Sequence, residues 1–245
     1  MSNNKKRVVF TQGGKGGVGK TTFANDLADW YRANGVGVKL LDFDCENEEA
    51  SGFKHFNKEA EKFNINEEAS LDAIFDILED DTVDVMLIDQ AAASGEATFR
   101  WFREVGKEIQ EMGIGFTSVG LVTNDPGSVE SVIKWAGELG DLVDYLIVKN
   151  CMTNANETFT EWGKSSTVKK LKSSLSVTEI TMDSRISEIE ELLRKGGVTP
   201  GQVMNLTKGE LSKPRYKIRT KGYLNKMQSI LDDVSHLLLP PTEND

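Results

Sequence analysis

Cysteine, proline and net positive charge are all scarce in this chain. Of its 245 residues, two are cysteine, Cys45 and Cys151, and they form no C-x-x-C pair. That argues against a disulfide scaffold and a four-thiolate zinc site, and it fits a reducing compartment. Five prolines and 22 glycines lie within ordinary globular usage, so neither a collagenous nor a low-complexity chain is in view. Acidic residues outnumber basic ones 39 to 29, for a formal net charge of -10. A globally basic nucleic-acid binder is thereby excluded, though a local basic patch is not. No apolar run approaches the roughly 20 residues that span a bilayer. The polar, basic start, Met1 to Arg7, is followed by only Val8, Val9 and Phe10 as apolar residues, too short for a signal-peptide core. These absences predict a cytoplasmic protein. The length is enough to bury a core without staples and suits one α/β domain.

Apolar, β-branched runs alternate with helical patterns, which predicts a mostly parallel central sheet with helices on both faces. Strands are expected at Arg7–Gln12, Gly37–Phe43, Val83–Asp89, Thr117–Thr123, Tyr145–Lys149 and Val177–Met182. Helices are expected near Lys20–Asn34, Leu71–Leu78, Ala97–Met112, Ser128–Leu139 and Glu157–Leu175. After Met182 the pattern turns helical, with Ile186, Ile189, Leu192 and Leu193 on one face and a last helix expected at Leu224–Leu239. Between them lies a basic segment, Lys208–Lys226, with seven basic residues against Glu210 alone. No linker is visible, so one domain is expected over 1–245, with a core at about 7–182 and a helical part at about 183–240.

The segment that carries chemistry is Gly14-Lys15-Gly16-Gly17-Val18-Gly19-Lys20-Thr21, followed by Thr22. It fits G-x-x-x-x-G-K-[ST] between an expected strand and an expected helix. Glycines let the main chain curl so that successive N–H groups face phosphate oxygens. The helix adds its positive end at the same spot. In such a loop Lys20 reaches the β- and γ-phosphates, and the Thr21 hydroxyl ligates Mg²⁺. The same glycines also spell G-x-G-x-x-G (Gly14, Gly16, Gly19), with Asp42 about twenty residues on, as a dinucleotide-binding fold would have. That fold has no need of the Lys-Thr pair, so a nucleoside triphosphate with Mg²⁺ is the expectation.

Lys15, read with Gly16 to Thr21, completes K-G-G-x-G-K-[ST], and here the chain resembles the ParA/MinD-type ATPases, the deviant Walker A group. The resemblance implies that Lys15 reaches across a homodimer interface to phosphates held by the other subunit, with ATP as the dimer switch. A second cation near a triphosphate is chemically sensible, since it neutralises charge that Lys20 and Mg²⁺ leave over. By the same match, Asp44 of Leu40-Leu41-Asp42-Phe43-Asp44 orients the attacking water, and Asp42 supports Mg²⁺ and the loop. Asp89, after the apolar run Val85 to Ile88, matches the Walker B acid that holds Mg²⁺. Asn150 sits where relatives carry an adenine-contacting asparagine. Lys15, Lys20 and Asp44 are thus the candidate catalytic residues, and Thr21, Asp42 and Asp89 the candidate metal site. Gly14 to Thr22 and Asn150 form the candidate nucleotide site.

Cys45-Glu46-Asn47 and Gln90-Ala91-Ala92-Ala93-Ser94-Gly95 stand where chromosomal ParA proteins carry other residues. The run Asp42 to Asn47 looks more like plasmid-encoded TraL/StbB relatives. The resemblance implies a slow, partner-stimulated ATPase that positions or segregates DNA or a DNA-bound complex, in plasmid partition or conjugation. Lys213, Arg215, Lys217, Arg219 and Lys221 are candidates for salt-sensitive, nonspecific DNA contacts, which would place the protein on the nucleoid. Asp232, Asp233 and the acidic tail Glu243-Asn244-Asp245 disfavour a lipid surface. No helix-turn-helix precedes the loop, so operator-specific repression is not expected. A metallochaperone, a metabolic ligase or kinase with the same loop, and a nucleotide-dependent adaptor with negligible hydrolysis stay open.

Overall fold

The computed structural model describes residues 5–44, 52–64, 67–92, 94–152 and 157–242. The run of elements is β1 (Arg7–Thr11), α1 (Lys20–Ala33), β2 (Val38–Asp42), α2 (Phe53–Phe56), β3 (Glu61–Lys62), α3 (Glu68–Leu78), β4 (Val85–Asp89), α4 (Gly95–Glu111) and β5 (Gly115–Val122). It continues with α5 (Pro126–Leu139), β6 (Asp144–Asn150), α6 (Thr160–Lys164), α7 (Ser166–Ser174), β7 (Val177–Met182), α8 (Ser187–Gly196), α9 (Pro200–Val203) and α10 (Pro214–Asp233). The seven strands form one sheet in the order β3-β2-β4-β1-β5-β6-β7, and every pairing is parallel.

Parallel strands joined by crossovers are covered on both faces, and their composition shows it. Successive residues of β1 supply opposite layers. Val9 joins Leu40, Leu87, Val119 and Leu146 beneath α1 and α10. Val8 and Phe10 join Leu41, Met86, Ile88 and Phe116 beneath α3, α4 and α5. The register fixes this, with Val9 level with Leu87 on one side and Thr117 on the other. β1 and β4 are buried along their whole length. Both end at the same rim of the sheet, where the glycine loop leaves β1 and Asp89 closes β4.

Three sequence expectations change. The helix expected over 157–175 is two helices, because Ser165 leaves the helical region and its side chain caps α7 instead, accepting from the Val168 N–H at 3.3 Å. β3 pairs with only two residues of β2, too short for any alternation to show. The last helix starts at Pro214 rather than Leu224 and gives way after Asp233 to a 3₁₀ turn at Ser235–Leu237. The basic segment therefore rides largely on a helix. Proline in the first turn suits that start, and Tyr216, Thr220, Met227 and Leu231 carry the buried stripe along it. α10 is pinned to α1 where the Trp30 indole N–H donates to Asp232 Oδ1 at 2.9 Å. Just beyond α10, the Tyr31 hydroxyl donates to the Leu238 carbonyl at 2.8 Å. Among the described residues no helix is long and apolar enough to cross a membrane.

Candidate nucleotide site

The loop between β1 and α1 curls through three glycines with positive φ, Gly14, Gly17 and Gly19. Two of them have no room for a side chain. A Cβ at Gly14 would meet the Ser131 hydroxyl, and one at Gly19 would meet the Asn150 amide. The loop is stapled from neighbouring elements. Gly14 N–H donates to the Ala92 carbonyl at 2.5 Å, and the Ser131 hydroxyl donates to the Gly13 carbonyl at 3.0 Å. Val18 buries its side chain in the core. Its carbonyl accepts from Asn150 Nδ2 at 2.8 Å. Asn150 thus fixes the shape of the cradle from the end of β6.

Among the described residues no side chain caps α1, and its first turn carries no acid. The N–H groups and positive end of the helix are left for an anion. Gly16, Gly17, Gly19, Lys20, Thr21 and Thr22 line a cleft of about 670 Å³, with Asp44, Asn150 and Arg185 on other walls. That falls within the usual range for a small-molecule or cofactor site. Burial pulls the Lys20 ammonium below its usual pKa, against the charges of Asp89 and Asp44. Its Nζ donates to the Lys15 carbonyl at 3.0 Å.

The acids gather at the same rim. Asp89 accepts from Thr21 Oγ1 at 2.6 Å and from Thr11 Oγ1 at 2.9 Å, and it is 1% exposed. Burial pushes its carboxyl up to about 6. A hydroxyl and a hard carboxylate side by side, with an ionised form that burial disfavours, suit a Mg²⁺ ion or its water shell. Asp42 behaves differently. Its two oxygens accept from the main-chain N–H of Asp44 at 3.0 Å and of Lys54 at 2.8 Å. It braces the chain on either side of residues 45–51. Cys45, Glu46 and Asn47 themselves lie outside the described residues, as does Ala93.

Lys15 stands apart from this cleft. Its Nζ lies 3.2 Å from Asp125 Oδ2, and it lines a neighbouring hollow of about 440 Å³ with Glu130, Lys134 and Trp135. It does not turn into the phosphate cradle of its own chain.

A buried polar cluster on the far wall was not legible in the sequence. Arg185, in the segment between β7 and α8, pairs with Asp26 of α1 at 2.5 Å and with Glu190 at 2.9 Å. Its guanidinium lies 4.7 Å from the centre of the Tyr223 ring. The Tyr223 hydroxyl donates to Asp26 Oδ2 at 2.6 Å. Desolvation pushes Asp26 up to about 6 even so. One turn along α1, Asp29 accepts from the Thr199 hydroxyl and the Gly201 N–H, both at 2.6 Å. The only sequence signal was two aspartates on the face of α1 that also carries apolar residues.

The basic candidates divide. Lys213 and Arg215 are drawn to Glu210, and Arg215 also stacks over Tyr216 at 4.4 Å. Lys217 donates to the Met204 carbonyl at 3.0 Å. Arg219 and Lys221 are exposed on α10, in the turn that follows Ile218, which is 71% exposed.

The profile of the CobQ/CobB/MinD/ParA nucleotide binding domain matches residues 9–200. Among solved structures, the MinD cell division protein of Aquifex aeolicus is 16% identical, over 91% of this chain and 97% of its own, with a TM-score of 0.50. An ATP complex of a Cyanothece McdA variant is 12% identical, over 93% of this chain and 97% of its own, with a TM-score of 0.46. Chloroplast FtsY from Physcomitrella patens is 19% identical with a TM-score of 0.47. That match takes in 74% of this chain and spans 60% of the FtsY chain. At 16% identity the likeness to MinD is one of fold. No curated protein sequence matches.

Proposed function

Because the chain belongs to the CobQ/CobB/MinD/ParA nucleotide-binding family, we propose that it is an ATP-dependent, dimerising switch that positions or segregates DNA or a DNA-bound complex. The observation that carries this reading is the pairing of an uncapped α1 N-terminus with the Lys20, Thr21 and Asp89 cluster in one cleft. Bound Mg²⁺–ATP supplies the charge that this cluster lacks and the phosphoanhydride to be hydrolysed. The chain's own residues divide the remaining work. The N–H groups of the loop and Lys20 hold phosphate oxygens. Thr21 and Asp89 hold the metal or its water shell, and Asp42 holds the backbone that aims Asp44 at the attacking water.

Lys15 is the deviant Walker A lysine in this reading. Its position outside its own cleft supports service to a second subunit, where it would contact the partner's phosphates. The contact with Asp125 joins two half-exposed side chains screened by solvent, so it yields readily. ATP-dependent dimerisation doubles the exposed Arg219 and Lys221 presented to DNA and so gates nonspecific binding by avidity. The asymmetry between these exposed cations and the paired Lys213 and Arg215 supports a narrow contact rather than a broad one. The differing switch segments favour a plasmid-encoded partition or conjugation role with a stimulating partner protein.

Calorimetry with Mg²⁺–ATP, with light scattering alongside, tests the reading. ATP binding by the wild type, its loss in Lys20→Ala, and a doubling of mass with ATP are the expected results. Equal ATP affinity in Lys20→Ala would refute it.

A further inference from the structure

A second hollow of about 180 Å³ lies between α8 and α10, next to the nucleotide cleft. Ile189, Leu193 and Pro200 form its apolar wall, with Thr220, Arg219 and Lys226 among its polar residues. Its volume is close to the roughly 150 Å³ in which an apolar protein cavity holds benzene. Its polar groups are what set it apart. Four buried side-chain atoms lack a hydrogen-bond partner among the described residues, and two of them, Thr220 Oγ1 and Arg185 Nε, belong to residues that line this hollow. Thr220 is 3% exposed. A buried polar atom without a partner carries a desolvation cost, and it is seldom left so without a reason.

The chemistry of these groups narrows what would fit. An arginine Nε–H only donates, so whatever faces it must accept. The charged residues of the lining are Arg185, Arg219, Lys226 and Asp183. Asp183 accepts from Lys226 at 2.9 Å, and the terminal nitrogens of Arg185 are paired with Asp26 and Glu190, which leaves Arg219 and the Arg185 Nε–H to meet an anion. One cation and two unpartnered polar atoms beside an aliphatic wall fit an anion with a short apolar body. We propose that this hollow binds a small carboxylate ligand, its branched or aromatic body on Ile189, Leu193 and Pro200 and its head among Thr220, Arg219 and Arg185. Asp183, Ser184, Arg185 and Tyr223 line both this hollow and the nucleotide cleft. An occupant therefore alters nucleotide affinity through the wall the two sites share.

The probe is 4-methylpentanoate, with 4-methylpentanamide as its uncharged match, titrated into the nucleotide-free full chain and followed by saturation-transfer NMR. The acid is expected to bind in the millimolar range usual for so few atoms, and the amide about tenfold more weakly. Thr220→Val keeps the shape and removes the unpartnered hydroxyl. It should raise the Tm of the ligand-free protein and weaken binding of the acid. Arg219→Gln should weaken the acid and leave the amide unchanged. Equal binding of acid and amide, binding of neither, or a lower Tm for Thr220→Val overturns the proposal. A further titration of ATP with the acid present should show a changed affinity. If ATP never binds, the switch reading fails while the nucleotide-free result stands.

Discussion

Tyr223→Phe removes a single hydroxyl, and the structure fixes what that should cost. The hydroxyl donates to Asp26 at 2.6 Å in a site where Asp26 is 3% exposed. A hydrogen bond to an ionised group contributes about 1.5–3 kcal/mol. The ring stays under the Arg185 guanidinium, so the loss is confined to the hydrogen bond. For a chain of this length that corresponds to a Tm lower by roughly 3–12 °C. The pH dependence makes the prediction sharper. Asp26 has its folded pKa raised from 3.8 to about 6. The unfolded chain releases this proton first, so the Asp26 contribution to stability falls as pH rises from about 4 to about 6 and then levels, by about 3 kcal/mol. Without the tyrosine donor the ionised carboxylate is harder still to hold, so the pKa rises and the fall deepens. Urea denaturation at several pH values should show the two proteins converging below about pH 5, where Asp26 is protonated in both, and parting above about pH 7. A cost that is the same at both ends of that range, or no cost at all, would refute the reasoning.

Asp44→Ala should bind ATP with little change in affinity yet release phosphate at a small fraction of the wild-type rate and accumulate as a dimer in size-exclusion chromatography. Wild-type turnover would remove Asp44 from the chemistry. Lys15→Ala should leave monomer ATP affinity within about threefold, since the side chain points away from its own cleft, but weaken the ATP dimer about tenfold or more in sedimentation. A dimer of unaltered strength would show that Lys15 does not act across subunits. Reversing Arg219 and Lys221 to glutamate should weaken nonspecific DNA binding and flatten its salt dependence in a filter assay. The same change at Lys213, already held by Glu210, should do much less.

The strands and the phosphate loop were legible because their signals are local. Val85 to Ile88 is an unbroken apolar run, and the loop needs glycine where the backbone turns left-handed. The start of α10 was hidden because the first half of its buried stripe is written in Tyr216 and Thr220, which a count of aliphatic residues passes over. Asp26 and Arg185 are 159 positions apart, and no periodicity links them. Asp42, read as a support for Mg²⁺ and the loop, accepts from the backbone N–H groups of Asp44 and Lys54, partners that only the folded chain reveals. How the basic segment divides also needed the fold, since Glu210 lies close enough to pair with Lys213 and Arg215 at its front end.

α1 is a rod of 14 residues, about 21 Å long. Its tip bears Lys20 and Thr21, its middle is bolted through Asp26 to Arg185 and Tyr223, and Asp29 beyond fastens Thr199 and Gly201. A rod secured at three stations cannot tilt at one of them alone. A triphosphate bound at its tip, as proposed, would load the same rod to which Tyr223 ties the helix that displays Arg219 and Lys221, with no moving hinge required between them.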